Sequence, residues 1–174
     1  MADADYTNEK WLPVVGWEGI YEVSDYGRVR SLDRTVETGN GRRALRGRIL
    51  RPGINRHGYL GVVLRRPGVK KSERVHRLVL TAHVGAPREG DEACHGNGNR
   101  QDNRLVNLRW DSRSANIRDN VRHGTHLNAR KVECPSGHPY SAENTRHYTY
   151  PSGRSSRFCR KCEANRSASR RNIR

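Results

Sequence analysis

Residues 93–120 constrain the fold more than any other part of the sequence. They begin with strand-like residues that run into a Gly-Asn-Gly turn at residues 96–98. A second strand is expected near residues 107–110, and a helix should follow it, with Asp111 or Ser112 as a suitable N-cap. The segment therefore predicts a strand, a turn, a strand and a helix, in this order.

A histidine and two asparagines are spaced along this segment. His95 is followed by Asn107 after twelve positions and by Asn116 after nine more. A histidine that titrates near neutral pH can take a proton from water, and a divalent metal ion can stabilise the charge that builds on a phosphate. On the expected helix, Asn120 lies four positions after Asn116 and projects from the same side. The arrangement suits metal-assisted hydrolysis of a phosphodiester.

The charge of the chain indicates a polyanionic partner. Lys and Arg total 34 against 18 Asp and Glu, which gives a formal net charge of +16. Basic residues at this density bind nucleic acid by releasing counterions from its phosphates. We expect double-stranded DNA as the partner, and a ribosomal-type or merely soluble basic protein is the alternative. Only 33% of the residues are hydrophobic, so any core should be small and divided.

No stretch of the sequence is typical of a membrane or secreted protein. Its apolar runs are shorter than the roughly 18 residues of a membrane span, and the first ten residues lack the basic and apolar regions of a signal peptide. We therefore expect a cytoplasmic monomer without a membrane or small-molecule partner. In a reducing compartment, the four cysteines should bind metal or take part in chemistry rather than form disulfides.

Three cysteines and one histidine form two close pairs near the C-terminus: Cys134, His138, Cys159 and Cys162. This is a complete ligand set for tetrahedral Zn²⁺, and the surrounding region is too polar to fold on a hydrophobic core alone. Four aromatic residues should form a small cluster beside the ion: Tyr140, Tyr148, Tyr150 and Phe158. The alternative is that the four ligands are unrelated residues of a disordered tail.

The N-terminal third predicts antiparallel strands. Residues 20–24 and 28–32 should form a hairpin around a turn at residues 25–27. The polar, glycine-rich residues 33–47 are expected to be an exposed loop. Strands should resume at residues 48–51 and at 59–65, the latter ending in an Arg-Pro-Gly turn.

Residues 75–84 change to a helical period. Four apolar residues fall on one face: Val75, Leu78, Val79 and Ala82. His76 and His83 are seven positions apart on a shared side, as two metal ligands would be, but a structural role beside the core is the favoured interpretation.

Basic residues that are candidates for contacting DNA phosphates lie on the expected strands, in the central segment and near the cysteines: Arg28, Arg30, Arg65, Arg66, Lys70, Lys71, Arg109, Arg157, Arg160 and Lys161. For Arg28 and Arg30, on the expected N-terminal hairpin, the alternative is a solvated charged face. For the C-terminal group the alternative is a protein-binding surface.

Two stretches resemble known nuclease families. The pattern Trp11, Gly16, Tyr-Glu-Val-Ser at 21–24 and Gly-Arg-Val-Arg-Ser-Leu at 27–32 resembles the N-terminal modular motif of phage homing endonucleases. His95, the Gly- and Asn-containing run at 96–103 and Asn-Leu-Arg-Trp at 107–110 resemble an HNH endonuclease of the phage homing type.

The resemblance implies an α+β protein with a ββα-metal nuclease core, in which two strands and a helix hold one divalent ion. N-terminal β-hairpins would precede this core and a small zinc-binding domain would follow it. The expected divisions are a β-rich DNA-binding module at 1–72, the HNH core at 73–124, a linker at 125–132, a zinc finger at 133–166 and a basic tail at 167–174.

The resemblance also implies roles. His95 would be the general base of a metal-dependent DNA endonuclease, and Asn107 would orient its ring through a side-chain hydrogen bond. Asn116 would be a metal ligand, with Asn120 a second candidate. We expect a nicking enzyme, homing or phage-encoded, in an infected bacterial host. A non-catalytic zinc-dependent DNA-binding protein and a nuclease that assists phage genome packaging are the alternatives.

One residue departs from the family pattern. The homing enzymes of this family carry aspartate immediately before the base histidine, whereas this chain has Cys94. Aspartate suits Mg²⁺ or Mn²⁺, and thiolate suits softer ions. Cys94 would therefore ligate a softer ion, be a buried spectator whose place at the metal is taken by water, or belong to a site that has lost activity.

Overall fold

The computed structural model describes residues 8–39, 41–153 and 155–171. The first seven residues of the expected N-terminal module and the last three of the expected basic tail lie outside this range. The chain forms two compact units, the first ending at His123 and the second beginning at Gly124.

The first unit is rich in short antiparallel strands. Its elements in chain order are β1 (Trp11–Pro13), β2 (Tyr21–Ser24), β3 (Val29–Ser31), β4 (Arg34–Thr38), β5 (Gly41–Leu45), β6 (Arg48–Ile49), β7 (Gly53–Ile54), β8 (Leu60–Arg66), β9 (Val69–Arg74), α1 (Val75–His83), β10 (Asp91–His95), a 3-10 helix (Leu105–Asn107), β11 (Leu108–Ser112) and α2 (Arg113–Arg122).

The N-terminal sheet has the strand order β1-β2-β3-β6. Its β2–β3 hairpin confirms the prediction for residues 20–32, with Tyr21 opposite Ser31 and Val23 opposite Val29. The hydroxyl of Tyr21 ties this sheet to β8, because it accepts a hydrogen bond from the Arg65 amide and donates one to the Arg65 carbonyl, at 3.0 and 3.1 Å.

The prediction of a loop at residues 33–47 is wrong. These residues form the β4–β5 hairpin, in which Glu37 lies opposite Arg42 and pairs with it at 2.7 Å. Thr35 and Val36 are β-branched and favour extended backbone. Polar composition therefore marked this segment as exposed but did not exclude strands.

Helix α1 lies where residues 75–84 predicted it, and its apolar face enters the core. The buried core of the first unit draws on both the N-terminal strands and the later elements: Val14, Trp17, Tyr21, Val23, Val29, Val62, Leu64, Val75, Leu78, Val79, Leu80 and Leu108. This core crosses the boundary expected between residues 72 and 73. The N-terminal strands and the central segment therefore share one hydrophobic core.

The second unit is small and polar. It contains α3 (Leu127–Arg130), β12 (Thr145–Thr149), β13 (Ser155–Cys159) and α4 (Arg160–Arg171). Strands β12 and β13 pair antiparallel. The segment expected to be a linker at 125–132 thus includes a short helix. The α+β class is confirmed. None of the helices within the described residues combines the length and apolar character needed to cross a membrane.

Candidate active site and metal-binding cluster

The β10–β11 hairpin places neighbouring residues on opposite faces. His95 lies opposite Leu108 and Cys94 lies opposite Arg109. Successive side chains of a strand alternate, so His95 lies on the face that also packs on the core through Ala93. Cys94 lies on the other face, toward α2. The strand–turn–strand–helix order predicted for residues 93–120 is confirmed.

The ring of His95 is buried and hydrogen-bonded. It keeps 8% of its surface exposed, and its Nε2 lies 3.0 Å from the side-chain oxygen Oδ1 of Asn103. An amide oxygen can only accept, so Nε2 carries the proton and Nδ1 carries the lone pair. Burial lowers the pKa of His95 below its usual value, although the Asn103 hydrogen bond opposes this shift. The ring is therefore neutral near pH 7.

In the structure this hydrogen bond is made by Asn103, whereas the sequence indicated Asn107. The Asn107 side chain accepts from the Asn97 amide at 2.9 Å and donates to the Asp102 carbonyl at 2.8 Å. Its carbonyl also accepts from the Gly96 amide at 2.8 Å. Asn107 therefore closes the loop at 96–107 that carries Asn103. Its side chain is connected to the His95 ring through this loop and not by a direct hydrogen bond.

The turn at Asp25–Gly27 lies against the same loop. The Asp25 carbonyl accepts from the Leu105 amide at 2.7 Å. Gly27 has φ +79°, and a Cβ built on it would lie 2.7 Å from the Cβ of Asn103. Only glycine suits this position, because a side chain would meet both backbone strain and a clash.

The face of β10 toward α2 carries the expected metal ligands. Cys94 is 1% exposed, and burial raises the pKa of its thiol to about 11. Asn116 is half-buried and its side-chain amide donates to the Glu92 carboxylate at 2.7 Å. Asn120 follows one turn later on α2 and is also half-buried. Burial therefore disfavours the thiolate of Cys94, and the carboxylate beside Asn116 belongs to Glu92.

The ligand atoms of Cys134, His138, Cys159 and Cys162 lie within 4.8 Å of one another in the second unit. The Sγ atoms of Cys134 and Cys162 are 3.6 Å apart, and His138 Nδ1 lies 3.2 Å from Cys162 Sγ. Among the described residues, these four side chains lie close enough together to hold one metal ion. The ligand set predicted from the sequence is brought together.

Asn144 supports this cluster and is buried between its two halves. Its amide nitrogen donates to the Cys159 Sγ at 3.3 Å and to the Pro139 carbonyl at 2.6 Å. Its side-chain oxygen accepts from the Lys161 amide at 3.1 Å. Hydrogen bonds of this kind orient metal ligands.

The expected aromatic cluster beside the metal ligands is divided. The rings of Tyr148 and Tyr150 pack edge to face, with centroids 4.7 Å apart. Phe158 lies under the guanidinium of Arg146 at 4.7 Å. Tyr140 packs instead against the guanidinium of Arg157.

Comparison with known proteins identifies both parts of the first unit. Residues 9–65 match the NUMOD4 motif and residues 73–118 match the HNH endonuclease family. The chain carries a NUMOD4 motif followed by an HNH domain. The resemblance drawn from the sequence is confirmed.

The chain is homologous to the DNA endonuclease I-HmuI of Bacillus phage SP01. The two are 32% identical over 124 residues, which are 71% of this chain and 64% of I-HmuI. The structure is also similar to one described as DNA binding and cleavage by the HNH homing endonuclease I-HmuI. That match has a TM-score of 0.54 and 26% identity, and it covers 90% of this chain and 82% of the other.

Two uncharacterized HNH endonucleases of Acanthamoeba polyphaga mimivirus are also similar. L245 is 29% identical over 131 residues, which are 75% of this chain and 34% of L245. L247 is 30% identical over 115 residues, which are 64% of this chain and 25% of L247. The chain therefore spans less than two thirds of the length of each of these relatives.

In the NUMOD4 motif, both candidate DNA-binding arginines pair with carboxylates of the same unit. Arg28 pairs with Glu9, and Arg30 pairs with Glu22 through its Nε at 2.7 Å. Their guanidinium carbons also lie 5.5 and 4.2 Å from the centre of the Trp11 ring. These carboxylates therefore partly neutralise the positive charge of Arg28 and Arg30.

The basic residues of β8 and β9 lie on the surface: Arg65, Arg66, Lys70 and Lys71. Lys71 pairs with Glu73 at 2.6 Å. Arg66 lies over the Trp17 ring at 5.1 Å and donates to the Gly16 carbonyl at 3.2 Å. For Arg65 and Lys70, the structure records no side-chain ion pair among the described residues, so their charge faces solvent.

Arg109 of the HNH domain is held by two carboxylates. Its Nε donates to Asp111 at 2.9 Å, and its second nitrogen pairs with Asp119 of α2. Asp119 also pairs with Arg122 at 2.7 Å. The arginine therefore fixes α2 on β11, which its place in the sequence did not predict.

The basic residues of the second unit are divided. Arg157 lies 4.1 Å from the centre of the Tyr140 ring and donates to the Lys131 carbonyl at 2.7 Å. Arg160 and Lys161 are exposed at the start of α4. Arg157 therefore braces the unit, whereas the other two remain accessible to a partner.

Sequence reasoning missed Asn103, Glu92 and Asn144. Asn103 ends the run that carries the HNH resemblance, but its position in that run does not indicate a role. Glu92 lies two residues before Cys94, where strand alternation gives it the same face. Asn144 carried no signal, because its contacts depend on how the chain folds around the cysteines.

Proposed function

We propose that this protein is a metal-dependent DNA endonuclease in which His95 is the general base. The observation that carries the proposal is the 3.0 Å hydrogen bond from His95 Nε2 to Asn103 Oδ1. It fixes the tautomer of a neutral imidazole at the centre of a domain that matches the HNH endonuclease family. The homologue I-HmuI is named a DNA endonuclease.

The residues of the site perform the proton transfer. His95 Nδ1 accepts a proton from the water that attacks phosphorus, and Nε2 stays bonded to Asn103. The imidazolium that forms still donates from Nε2 to Asn103 Oδ1, so the ring does not need to rotate. The lowered pKa of His95 keeps the ring unprotonated before the step. Asn107 acts through the loop, since it holds the segment that presents Asn103.

A hard divalent ion, Mg²⁺ or Mn²⁺, fits the donors on the α2 face. Glu92 supplies a carboxylate beside the amide of Asn116, 2.7 Å away, and Mg²⁺ is commonly bound by one or two carboxylates and waters. When bound, the ion supplies charge stabilisation to the phosphate and the leaving oxygen. Cys94 is a buried neutral thiol and is a spectator in this scheme, while Asn120 remains a weaker candidate ligand.

Zn²⁺ fits the cluster of the second unit. At a Zn–S distance of about 2.3 Å, two thiolates of a tetrahedral site lie about 3.8 Å apart. The 3.6 Å between Cys134 and Cys162 agrees with this edge. A structural ion is the proposal here, because all four positions are filled by protein ligands.

Double-stranded DNA is the proposed substrate, and the positive charge would hold it. The exposed charges of Arg65, Lys70, Arg160 and Lys161 are the first candidates for phosphate contacts. A monomer with one such centre would nick one strand. The phage homologue supports a phage-encoded protein that acts in the cytoplasm of an infected bacterium.

The test is cleavage of supercoiled plasmid by the full chain with Mg²⁺, Mn²⁺, Ni²⁺ or Zn²⁺. The wild type and His147→Ala, which changes an exposed histidine, should nick DNA equally. His95→Ala should lower the rate by about 100-fold or more. Equal nicking by His95→Ala, or no nicking with any metal while DNA binding persists, would falsify the proposal.

A further inference from the structure

A second histidine packs on the ring of His95. His76 of α1 is 3% exposed, and its ring lies edge to face with that of His95, with centroids 5.1 Å apart and planes at 73°. Neither the sequence motif of the HNH domain nor the proton transfer described above uses this residue. The contact is nevertheless made with the group that is proposed to take the proton.

Tyr59 completes an aromatic enclosure around the two imidazoles. Its ring centre lies 5.0 Å from that of His76 and 5.9 Å from that of His95. The guanidinium groups of Arg74 and Arg100 lie over Tyr59 at 5.3 and 5.0 Å. The ring of His95 therefore has aromatic contacts in addition to the Asn103 hydrogen bond.

His76 is an unexpected residue for a buried position. Its Nδ1 is buried and has no hydrogen-bond partner among the described residues. Burial without a partner opposes folding, so phenylalanine would fill this place with less cost. The side-chain nitrogen of Asn103 is also buried without a partner among those residues. Unpaired polar atoms therefore occur on two residues that touch the same imidazole.

His76 stays uncharged in this environment. Burial lowers its pKa to about 3, and the neighbouring His95, Arg74 and Arg77 act in the same direction. A neutral imidazole can lie beside His95 without repelling the charge that His95 acquires on accepting a proton. A lysine or arginine in the same place would oppose that step.

We propose that His76 is a positioning residue for the reaction, whose buried polar ring packs edge to face with that of His95 and acts together with the Asn103 hydrogen bond to hold the orientation and tautomer of His95. The proposal rests on the function proposed for His95. The opposing interpretation is a purely structural core histidine. The two differ in what replacement by phenylalanine does, because phenylalanine keeps the packing and removes the unpaired nitrogen.

The kinetic test compares His76→Phe, His76→Ala and His83→Phe in the full chain. His83 is the matched control, since it lies on the same helix and its Nε2 contacts the Val23 carbonyl at 3.2 Å. His76→Phe should keep or raise Tm, lower kcat for plasmid nicking by about 10-fold and leave KM within about twofold. His76→Ala should lower both Tm and kcat, and His83→Phe should lower Tm alone.

A spectroscopic test does not depend on cleavage. Nitrogen-15 spectra of the His95 ring in DNA-free protein at pH 8 report the fraction that carries the proton on Nε2. This fraction should be high in the wild type and lower in both His76 variants. A wild-type fraction in both variants, or a wild-type kcat in His76→Phe, would overturn the proposal. If the wild type does not cut DNA, the proposed function fails, and these spectra still decide the role of His76.

Discussion

A Cβ placed on Gly27 would lie 2.7 Å from the Cβ of Asn103, so the β2–β3 hairpin touches the residue that bonds His95. The contact joins the NUMOD4 motif to the HNH domain at the candidate active site. Because Asp25 also bonds the start of the 3-10 helix, the turn at residues 25–27 supports the loop at two points.

Gly27→Ala should therefore damage both the fold and the site. The new methyl group meets Asn103 while the backbone keeps φ +79°, so we expect a loss of about 2–4 kcal/mol in the free energy of unfolding. Gly16→Ala is the control, since Gly16 has φ +78° and open space around it. Urea unfolding should show a loss of about 1–2 kcal/mol there. Equal losses in the two variants would exclude the contact as the cause.

Asn103→Ala should lower kcat for DNA nicking by about 10-fold or more, because it removes the acceptor that fixes Nε2 of His95. Asn103→Asp keeps an acceptor oxygen and should lose less. Single-turnover nicking rates with saturating DNA measure the effect. If Asn103→Ala cut at the wild-type rate, the hydrogen bond would have no part in the reaction.

Asn107→Ala should act through Asn103. It removes the bonds to Asn97 and Asp102 that close the loop, so the double variant with Asn103→Ala should be little worse than either single variant. A double-mutant cycle on kcat gives the coupling. Additive losses would mean that Asn107 acts directly, as the sequence first indicated.

Mn²⁺ binding distinguishes Glu92 from Cys94. Glu92→Gln should weaken binding of Mn²⁺ by about 10-fold or more, measured by electron paramagnetic resonance, because it removes a carboxylate ligand. Cys94→Ala should leave binding unchanged, since burial of the thiol raises its pKa and disfavours the thiolate that a metal ion would need. The reverse pattern would mean that Cys94 is a metal ligand and that Glu92 is not.

Removal of zinc should unfold the second unit and spare the first. A chelator should abolish the folded signals of β12, β13 and α4, because the described residues of this unit bury little apolar surface besides Cys134 and Cys159. Native mass spectrometry should find one Zn²⁺ per chain. Asn144→Ala should speed zinc loss about 10-fold, whereas Thr149→Ala, on the exposed end of β12, should not.

Acid should destabilise the first unit through His76. The pKa of His76 is lowered to about 3 in the folded protein and lies near 6.5 in the unfolded chain. Its titration therefore does not change the free energy of unfolding above pH 6.5, and it lowers that free energy as the pH falls below 6.5. The slope contributed is at most about 1.4 kcal/mol per pH unit. His76→Phe should have a flatter profile between pH 6.5 and 4, as measured by urea unfolding. Parallel profiles would exclude His76 as the source.

Local patterns account for what the sequence predicted correctly. The β2–β3 hairpin follows from alternation around a turn, α1 from apolar residues at helical spacing, and the metal cluster from paired ligands. The hydrogen bond of Asn103 and the enclosure around His76 were not predictable in this way. They join residues from α1, β10 and the loop at 96–107, and no spacing along the chain records those distances.

Local sequence patterns also do not predict the β4–β5 hairpin. The first four residues of β5 are all exposed, so this strand lacks the alternation of apolar and polar residues that marks a half-buried strand. Its stability comes from backbone pairing and from cross-strand contacts such as that of Glu37 with Arg42.

The shared hydrophobic core has an evolutionary consequence. A recombination event between residues 65 and 73 would separate Tyr21 and Val29 from Val75 and Leu80, and neither product would retain a complete interior. Exchange near residues 123 and 124 would instead transfer whole units. Shuffling of such nucleases should therefore favour the later crossover, and the NUMOD4 motif should be inherited with its own HNH domain.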